Sequence, residues 1–361
     1  MPRKSEGEGF AELLNYSHMV APEVLGLKNG GFLAGFWLTG PDLESSTVLE
    51  LEHLSEMMAR AINQLDVRYC VHFEFFRREA HNYPDGHFKE TTTKIIDMER
   101  FGQFKKEQGH FESVQAIFIT YVPPAFEKSP FIQRTKHFLL GSENDNEDIV
   151  VEKQLERFEE VIRGLKDSLG LIMKVQRMTF HLDDLPDPYS GTSELLEVIN
   201  ACVNGNWHPV RLPAFPYYLD CLLAHDCING KNLEYNQEFV QCVSLVNYPA
   251  GTFPSILSDL QTLPISFRWS NRFILTDMRE AMGQIETKRR QWVQKMRSLF
   301  SQITGIQTNR VNQDAVAMVE DLDNALQDAH SGEVAFGNHT STVILRHSTS
   351  FQYAISGGGR S

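Results

Sequence analysis

The chain has 361 residues, of which 42% are hydrophobic, so it can bury a large core in two domains or in one domain with insertions. Its 47 acidic residues outnumber 34 basic ones, and the formal net charge of -13 gives no support to general nucleic-acid binding. Five cysteines without a CxxC motif indicate free thiols in a reducing compartment. The opening MPRKSEGEGFAELL lacks the apolar core of a signal peptide, and no apolar run approaches the ~20 residues that cross a bilayer. We expect a cytosolic-type chain that reaches a membrane through partners.

The first half of the chain predicts strands and helices in a ferredoxin-like order. A strand over 30–42 precedes an amphipathic helix over 43–65, whose apolar residues recur at helical spacing. The stretches VRYCVHFEFF and FESVQAIFITYVPP predict two further strands, the second apolar enough to be central in a sheet. A strongly periodic helix over 151–169 then leads to a strand over 171–182. Leaving aside a helical excursion after the second strand, the order is βαββαβ, which packs both helices on one face of an antiparallel sheet.

The same pattern returns near the end of the chain but stops early. Strand, helix and strand are followed by a helical insertion and a third strand, so we predict an α+β chain of two ferredoxin-like units, the second lacking one helix and one strand. Because such a half unit leaves apolar sheet surface uncovered, we expect truncation or a frameshift; a different fold for this unit is the alternative. The predicted divisions are a first unit at 1–185, a helical and Pro-rich connector at 186–237, a second unit at 238–347 with its helical insertion at 277–331, and a disordered or out-of-frame tail at 348–361.

Motifs for nucleotide binding and for nucleophilic catalysis are missing from the sequence. No GxxxxGK[ST] string occurs, and the glycines of SGGGRS have neither a strand leading into them nor a helix after them. His72 and Glu74 form an H-x-E, but the P-C-x-x-C of a zinc deaminase is absent, and a half-exposed sheet face explains both residues. GxSxG is absent as well. We predict no catalytic and no cofactor-binding residue.

Two short groups of potential metal ligands have spacings that match no established zinc pattern. With thirteen histidines and five cysteines, such groups arise by chance, so a metal-dependent enzyme is the weaker alternative. The groups are His81, Asp85 and His87 in one loop, and Cys221, His225 and Cys227 in another.

A basic stretch, ETKRRQWVQKMR, stands out in this acidic chain. Its apolar residues lie on one side of the predicted helix and its basic residues mostly elsewhere. A solvated helix face is the commoner interpretation of such a pattern. The sharper interpretation is a surface for anionic lipid headgroups or an acidic partner.

Three stretches together carry a family resemblance: NWHPVRLPAFPYYLDCLLAHD, YPAGTFPSILSDLQTLPISFRWSNRFILTD and GEVAFGNHTSTVIL. They resemble the N-terminal and central region of TrbE-type conjugal-transfer ATPases, the CagE/TrbE/VirB family of type IV secretion systems. The opening LNYSHMV…GFLAGFWLTGPDL is also similar, so the resemblance extends to about His347. It implies that family members continue into a motor domain with Walker A and B motifs, for which ATP and magnesium are expected. The sequence after Leu345 departs from the family.

The resemblance also implies a role. The intact protein would energise pilus assembly or substrate transfer, as a hexamer at the cytoplasmic face of the bacterial inner membrane. The region present here would dock the motor onto small inner-membrane subunits and other secretion components, without direct nucleic-acid binding. A standalone accessory subunit is the alternative. The residues expected to contact a partner or membrane are Arg268, Trp269, Lys288, Arg289, Arg290, Trp292, Lys295 and Arg297, although Trp269 also suits a core position.

Overall fold

A computed structural model gives the fold of most of the chain. It describes residues 9–41, 45–84, 86–107, 109–123, 145–182, 191–212, 217–230, 232–246, 256–302, 309–331 and 334–348, of which 145–150, 296–302 and 309–315 are described by backbone alone.

The described helices include five of fifteen residues or more, four of which follow apolar periodicity in the sequence. The helices are α1 (Phe10–Leu13), α2 (Val48–Ile62), α3 (Thr91–Lys106), α4 (Asp145–Gly170), α5 (Glu194–Asn204), α6 (Leu219–Leu223), α7 (Met278–Gln302) and α8 (Asn309–Ser331), with a 3-10 turn at Ser258–Thr262. A capping box fixes the start of α2, because the Glu50 N–H donates to the Thr47 hydroxyl and the Thr47 N–H to the Glu50 carboxylate.

The strands range from two to eleven residues. They are β1 (Tyr16–Ala21), β2 (Val24–Leu27), β3 (Phe32–Thr39), β4 (Tyr69–Glu79), β5 (Phe111–Tyr121), β6 (Lys174–Arg177), β7 (Phe180–Leu182), β8 (Gly191–Ser193), β9 (Val210–Arg211), β10 (Cys227–Asn229), β11 (Leu233–Tyr235), β12 (Glu238–Ser244), β13 (Phe267–Leu275) and β14 (Gly337–His347).

One antiparallel sheet runs through both predicted units. Its order is β1-β2-β3-β5-β4-β13-β14-β12-β11-β10, and β6 pairs with β3 beside β2. The two halves join where β4 pairs with β13 over eight residue pairs, from Phe267 opposite Arg77 to Ile274 opposite Cys70. The α+β class is therefore confirmed, and FESVQAIFITY is central as predicted, between β3 and β4. A separate small sheet contains β7, β8 and β9.

Helices α2 and α4 cover one face of the first half of the sheet, which we call the helical face. Side chains alternate between the two faces of a strand, so Phe32 and Phe36 point to the same side as Ile117 and Val71. Phe158 of α4 packs on Phe32, with ring centroids 5.6 Å apart. This is the main core of the molecule.

The connector covers the opposite face, which we call the connector face. Leu195 and Ile199 of α5 pack against Leu33 and Phe118 of the sheet. Gly35 allows this approach, because a Cβ there would lie 2.6 Å from the Met178 sulfur and 2.9 Å from a Leu195 methyl. The connector thus packs directly on the first half of the sheet.

A buried polar network ties α5 to α6 and β11 within the connector. The Asn204 amide donates to the Asn200 side chain at 2.6 Å and to the Leu223 carbonyl at 3.0 Å. The Tyr235 hydroxyl donates to Asn204 at 2.9 Å and accepts from the His225 N–H at 3.0 Å. Because these buried groups satisfy one another, the network fixes the path of the connector.

The two helical insertions leave the sheet at opposite ends. Helix α3 lies between β4 and β5, and the α7–α8 pair lies between β13 and β14. Since β4 and β13 are antiparallel, the end of β4 lies beside the start of β13. In the stretch where an insertion was predicted, at 277–331, α7 and α8 pack on each other; the bounds of the insertion stay a prediction.

The structure corrects several predictions made from the sequence. The strand over 171–182 is two strands, and the second belongs to the small sheet. The helix predicted between the first two strands of the second unit, in TFPSILSDLQTL, contains a 3-10 turn at Ser258–Thr262 in its described part, and its start lies outside the described residues. The hairpins β1–β2 and β10–β11 were not predicted. The predicted tail lies outside the described residues except at its first position.

Candidate partner-binding cleft

A cleft of about 720 Å³ opens where the two halves of the sheet meet. Its walls come from the end of β4, the start of β13, the end of β14, and the turn after α5. The turn requires Gly205, which has a φ of +78° and ends α5. The lining includes Phe76, Arg78, Trp207, Glu238, Arg268 and Arg346.

Arg268 forms the floor of the cleft, and Glu74 is its buried charge partner beneath. Glu74 is only 3% exposed, and its carboxylate accepts two hydrogen bonds from Arg268, at 2.8 and 3.0 Å. The Ser270 hydroxyl donates a third bond to it, at 2.7 Å. Arg268 also donates to the Cys202 carbonyl of α5, at 2.7 Å. One guanidinium therefore links β4, β13 and the connector through charge-assisted hydrogen bonds.

Burial shapes the protonation of groups around this pair. Burial alone would lower the pKa of Arg268. The electrostatic interactions with Cys202 and Glu74 outweigh the effect of burial, so the pKa of Arg268 is raised. Burial also raises the pKa of the Cys202 thiol to about 12 and the pKa of Tyr16 above its ordinary value. The pKa of the thiol is far above neutral pH, whereas a nucleophilic cysteine needs a lowered pKa.

Arg78 and Trp207 form one rim of the cleft. The guanidinium carbon of Arg78 lies 4.3 Å from the centre of the Trp207 ring, and its Nε donates to the Glu112 carboxylate at 2.6 Å. Trp207 in turn packs edge-to-face on Phe76, with centroids 4.9 Å apart. The rim thus offers a flat aromatic surface with a cation held over it.

Arg346 of β14 forms the opposite wall. Its Nη2 donates to the Val203 carbonyl, and its Nη1 lies 3.8 Å from the Glu238 carboxylate. Nη1 is buried and has no hydrogen-bond partner among the described residues. Burial lowers the pKa of Arg346 from its ordinary value. The Arg346 guanidinium is therefore held within the wall by the Val203 carbonyl and the Glu238 carboxylate.

The cleft combines charged and aromatic groups. It places guanidinium groups, carboxylates and an aromatic surface within one concavity, as anchor sites of protein interfaces do. Among the described residues, no group of three or more histidine, cysteine and acidic side chains could hold a metal ion. The His81 group includes Asp85, which lies outside the described residues.

Both predicted contact residues on β13, Arg268 and Trp269, form hydrogen bonds with other residues of the chain. Arg268 lies in the floor of the cleft. Trp269 points to the helical face, where its indole N–H donates to the Ser341 hydroxyl at 2.7 Å and its ring lies 6.4 Å from that of Phe75. Their role in partner binding stays a prediction.

The other predicted contact residues lie on α7, away from the cleft. Lys288, Arg290 and Lys295 are exposed, and Arg289 pairs with Asp323 of α8. The Lys295 ammonium lies 4.3 Å from the centre of the Trp292 ring. The side chain of Arg297 lies outside the described residues. The basic surface of α7 therefore exists as a separate feature, and its role also stays a prediction.

Sequence reasoning missed most of the cleft. The interpretation of Glu74 as belonging to a half-exposed sheet face is wrong, because the residue is buried beneath Arg268. Arg78, Trp207 and Arg346 carried no local motif. A buried acidic residue within an apolar strand was the signal that could have indicated a cationic partner elsewhere.

Two family profiles match the chain in succession. The family described as "Type IV secretion system ATPase VirB4/TrbE, N-terminal domain" matches residues 23–129. The family described as "CagE, TrbE, VirB family, component of type IV transporter system" matches residues 187–351. Residues of both matched regions line the cleft.

Curated relatives from two bacteria are similar to the chain. "Conjugal transfer protein TrbE" of Rhizobium radiobacter is 32% identical over 347 residues, which are 95% of this chain and 42% of the relative. Two relatives from Sinorhizobium fredii carry the name "Probable conjugal transfer protein TrbE", one as its second portion and the other as its first. They are 38% identical over 152 residues and 35% identical over 129 residues, respectively, covering 42% and 35% of this chain and 23% and 87% of the relatives. The chain spans about two fifths of the Rhizobium relative.

Proposed function

Because this chain belongs to the CagE, TrbE, VirB family of type IV transporter components, we propose that it is the docking and assembly region of a type IV secretion ATPase. The observation that carries the proposal is the cleft at the junction of the halves, whose guanidinium and carboxylate groups suit a polypeptide partner. The match to a profile described as an N-terminal domain supports the same role.

We further propose that each half of the sheet is a ferredoxin-like unit. In the first half, the order β6-β3-β5-β4 is the one that a βαββαβ chain forms, and α2 and α4 both lie on the helical face. In the second half, the order β12-β14-β13 repeats that of β3-β5-β4.

ATP hydrolysis is proposed to belong to the longer family member. The residues present here do not fit ATP and magnesium, because the sequence offers no GxxxxGK[ST] loop for the phosphates. The longer protein would energise pilus assembly or DNA and protein transfer, as a hexamer. None of the described helices is long and apolar enough to cross a bilayer. We therefore propose that contact with the cytoplasmic face of the inner membrane depends on small membrane subunits or on the basic surface of α7.

The docking role is tested by affinity capture from cells that express a complete set of conjugal-transfer components. The tagged chain should retain other components of the system, and Arg78→Glu should reduce that retention at least tenfold by reversing charge at the Trp207 rim. Arg272→Glu, an exposed change on the same face of the sheet, is the control. Equal retention by both variants would contradict the cleft as the docking site.

The same experiment separates the cleft from α7. Lys288→Glu combined with Arg290→Glu reverses two exposed charges on α7 without touching the cleft. Loss of retention with this double variant alone would move the docking surface to the α7–α8 pair.

The absence of a phosphate loop predicts no ATP hydrolysis by this chain. Phosphate release from ATP by the purified chain should not exceed that of a buffer blank.

A further inference from the structure

The two halves of the sheet repeat a pattern at their outer strands. In the first half, the β1–β2 hairpin precedes β3, and β2 pairs with only the start of β3, up to Leu33. In the second half, the β10–β11 hairpin precedes β12, and β11 pairs with only the start of β12, up to Val240. The next strand inward is eleven residues long in both halves. Leu33 and Val240 therefore occupy equivalent positions.

The rest of β3 is paired by β6. Residues Phe36 to Thr39 lie opposite Arg177 to Lys174, and the Met178 N–H donates to the Gly35 carbonyl at 3.1 Å. If Leu33 is aligned with Val240, the stretch Phe36 to Thr39 of β3 aligns with residues 243–246 of the second half. The position equivalent to Gly35 is Cys242.

Within the part of the chain that the structure describes, the corresponding edge of β12 is open. Among the described residues, β14 is the only strand that pairs with Gln241–Ser244. The Leu245 N–H donates to the Ser341 carbonyl at 3.0 Å, so the backbone groups of 245 face β14. Because these groups alternate sides in an antiparallel strand, those of Cys242, Ser244 and Val246 face outward.

Side chains beside this edge are exposed where their counterparts are buried. Val243 is 53% exposed, whereas Phe36, at the equivalent position, is fully buried. Leu245 is 44% exposed, against 9% for Leu38. In the first half, α4 and β6 cover these positions. An exposed apolar edge with outward backbone groups is the surface that takes up an additional strand.

We propose that the edge of β12 at 242–246 accepts an antiparallel strand from a helix–strand segment, in the way that β3 accepts β6. The occupant is a segment from the part of the longer relative that this chain does not match, since the chain covers only 42% of that relative. The first half is the template for its chemistry: an amphipathic helix for the helical face, then a short strand. This inference rests on the equivalence of the two halves and not on the identity of any secretion partner.

The probe is a segment of about 60 residues that directly follows the matched region of the Rhizobium radiobacter TrbE, long enough for a crossover helix and a strand. It is titrated into the full chain by calorimetry. We expect one-to-one binding, with slower amide hydrogen exchange at Cys242, Ser244 and Val246. Absence of binding, or protection elsewhere only, would overturn the proposal. So would a dimer of the chain alone that already protects these amides, because the occupant would then be a second copy.

Two variants locate the site. Ser244→Pro removes an outward N–H from an edge strand, where proline is tolerated, and should weaken binding about tenfold. Thr342→Val is the matched control, because the Ser244 hydroxyl lies 2.8 Å from that of Thr342 and this contact is lost in both variants. Unchanged affinity in Ser244→Pro, with a circular dichroism spectrum like that of the unaltered chain, would place the segment elsewhere. Failure of component capture, by contrast, would leave this result intact.

Discussion

Glu74 and Arg268 are the residues on which the junction of the two halves depends. They lie 194 positions apart in the chain, yet their side chains share two hydrogen bonds beneath the cleft. A buried carboxylate without its partner is costly, because neither water nor another cation replaces the lost guanidinium. The pair therefore specifies which strand of the second half lies beside β4.

Arg268→Ala should destabilise the chain by about 3–5 kcal/mol, because Glu74 stays buried without a counter-charge. The free energy of unfolding is measured by urea titration with circular dichroism. Arg272→Ala, which truncates an exposed arginine of the same strand, should change it by less than about 0.5 kcal/mol. The double variant Glu74→Leu with Arg268→Met should recover most of the loss. A loss in Arg268→Ala no larger than in Arg272→Ala would show that the pair contributes nothing.

His72 makes stability depend on pH in the acid range. Burial lowers its pKa to about 4, so the unfolded chain, with an ordinary histidine near 6.5, binds more protons between these values. Stability therefore rises with pH from about 4 to 6.5 and is level above. His72→Gln should reduce the loss of unfolding free energy between pH 7 and pH 5 by about 1–2 kcal/mol. The exposed His53 of α2 is the control position, and an equal effect of His53→Gln would contradict the assignment.

At the scale of elements, the close contact of β3 with the connector depends on a glycine, Gly35. Gly35→Ala would place a methyl group against Met178, Leu195 and Phe118, and we expect it to destabilise the chain by about 1–3 kcal/mol. Gly40→Ala, just beyond the same strand, meets nothing within 4 Å and is the control. Thermal unfolding measures both, and equal midpoints would show that the connector adjusts without cost.

Long elements were the features of the fold that the sequence predicted best. Helices α2, α4, α7 and α8 repeat apolar residues at helical spacing over several turns, so their signal is strong. The hairpin strands β10 and β11 have three residues each, too few for alternation to be recognised. Their pairing is decided by the buried network around Asn204 and Tyr235, which involves residues distant in the chain.

For the whole molecule, the continuous sheet predicts that both halves unfold together. The eight residue pairs between β4 and β13, with the buried Glu74 between them, give neither half an independent edge. A variant that keeps only Trp37 reports the first half by fluorescence, and a variant that keeps only Trp269 reports the second. We expect the same urea midpoint from both reporters and from circular dichroism. Two separate midpoints would show that the halves are independent domains.

The joining of the halves could not be predicted from the sequence. Each half has its own strand pattern, and that pattern is equally compatible with two separate sheets. What joins them is the match of β4 to β13, a register set by packing of Phe75 on Phe267 and by the Glu74–Arg268 pair. For the same reason the cleft was not predicted, because it exists only where the two halves meet.

The opposite directions of the two helical insertions set a distance. Helix α3 leaves one end of the sheet and the α7–α8 pair leaves the other, with β4 and β5, eleven residues each, between them. At about 3.3 Å per residue, such a strand is a spacer of about 36 Å. A partner bound to α3 and a partner bound to α7–α8 would therefore be separated by a rigid stretch of sheet. A force applied to one partner would be transmitted to the other along the strands, because no hinge lies between them in these strands.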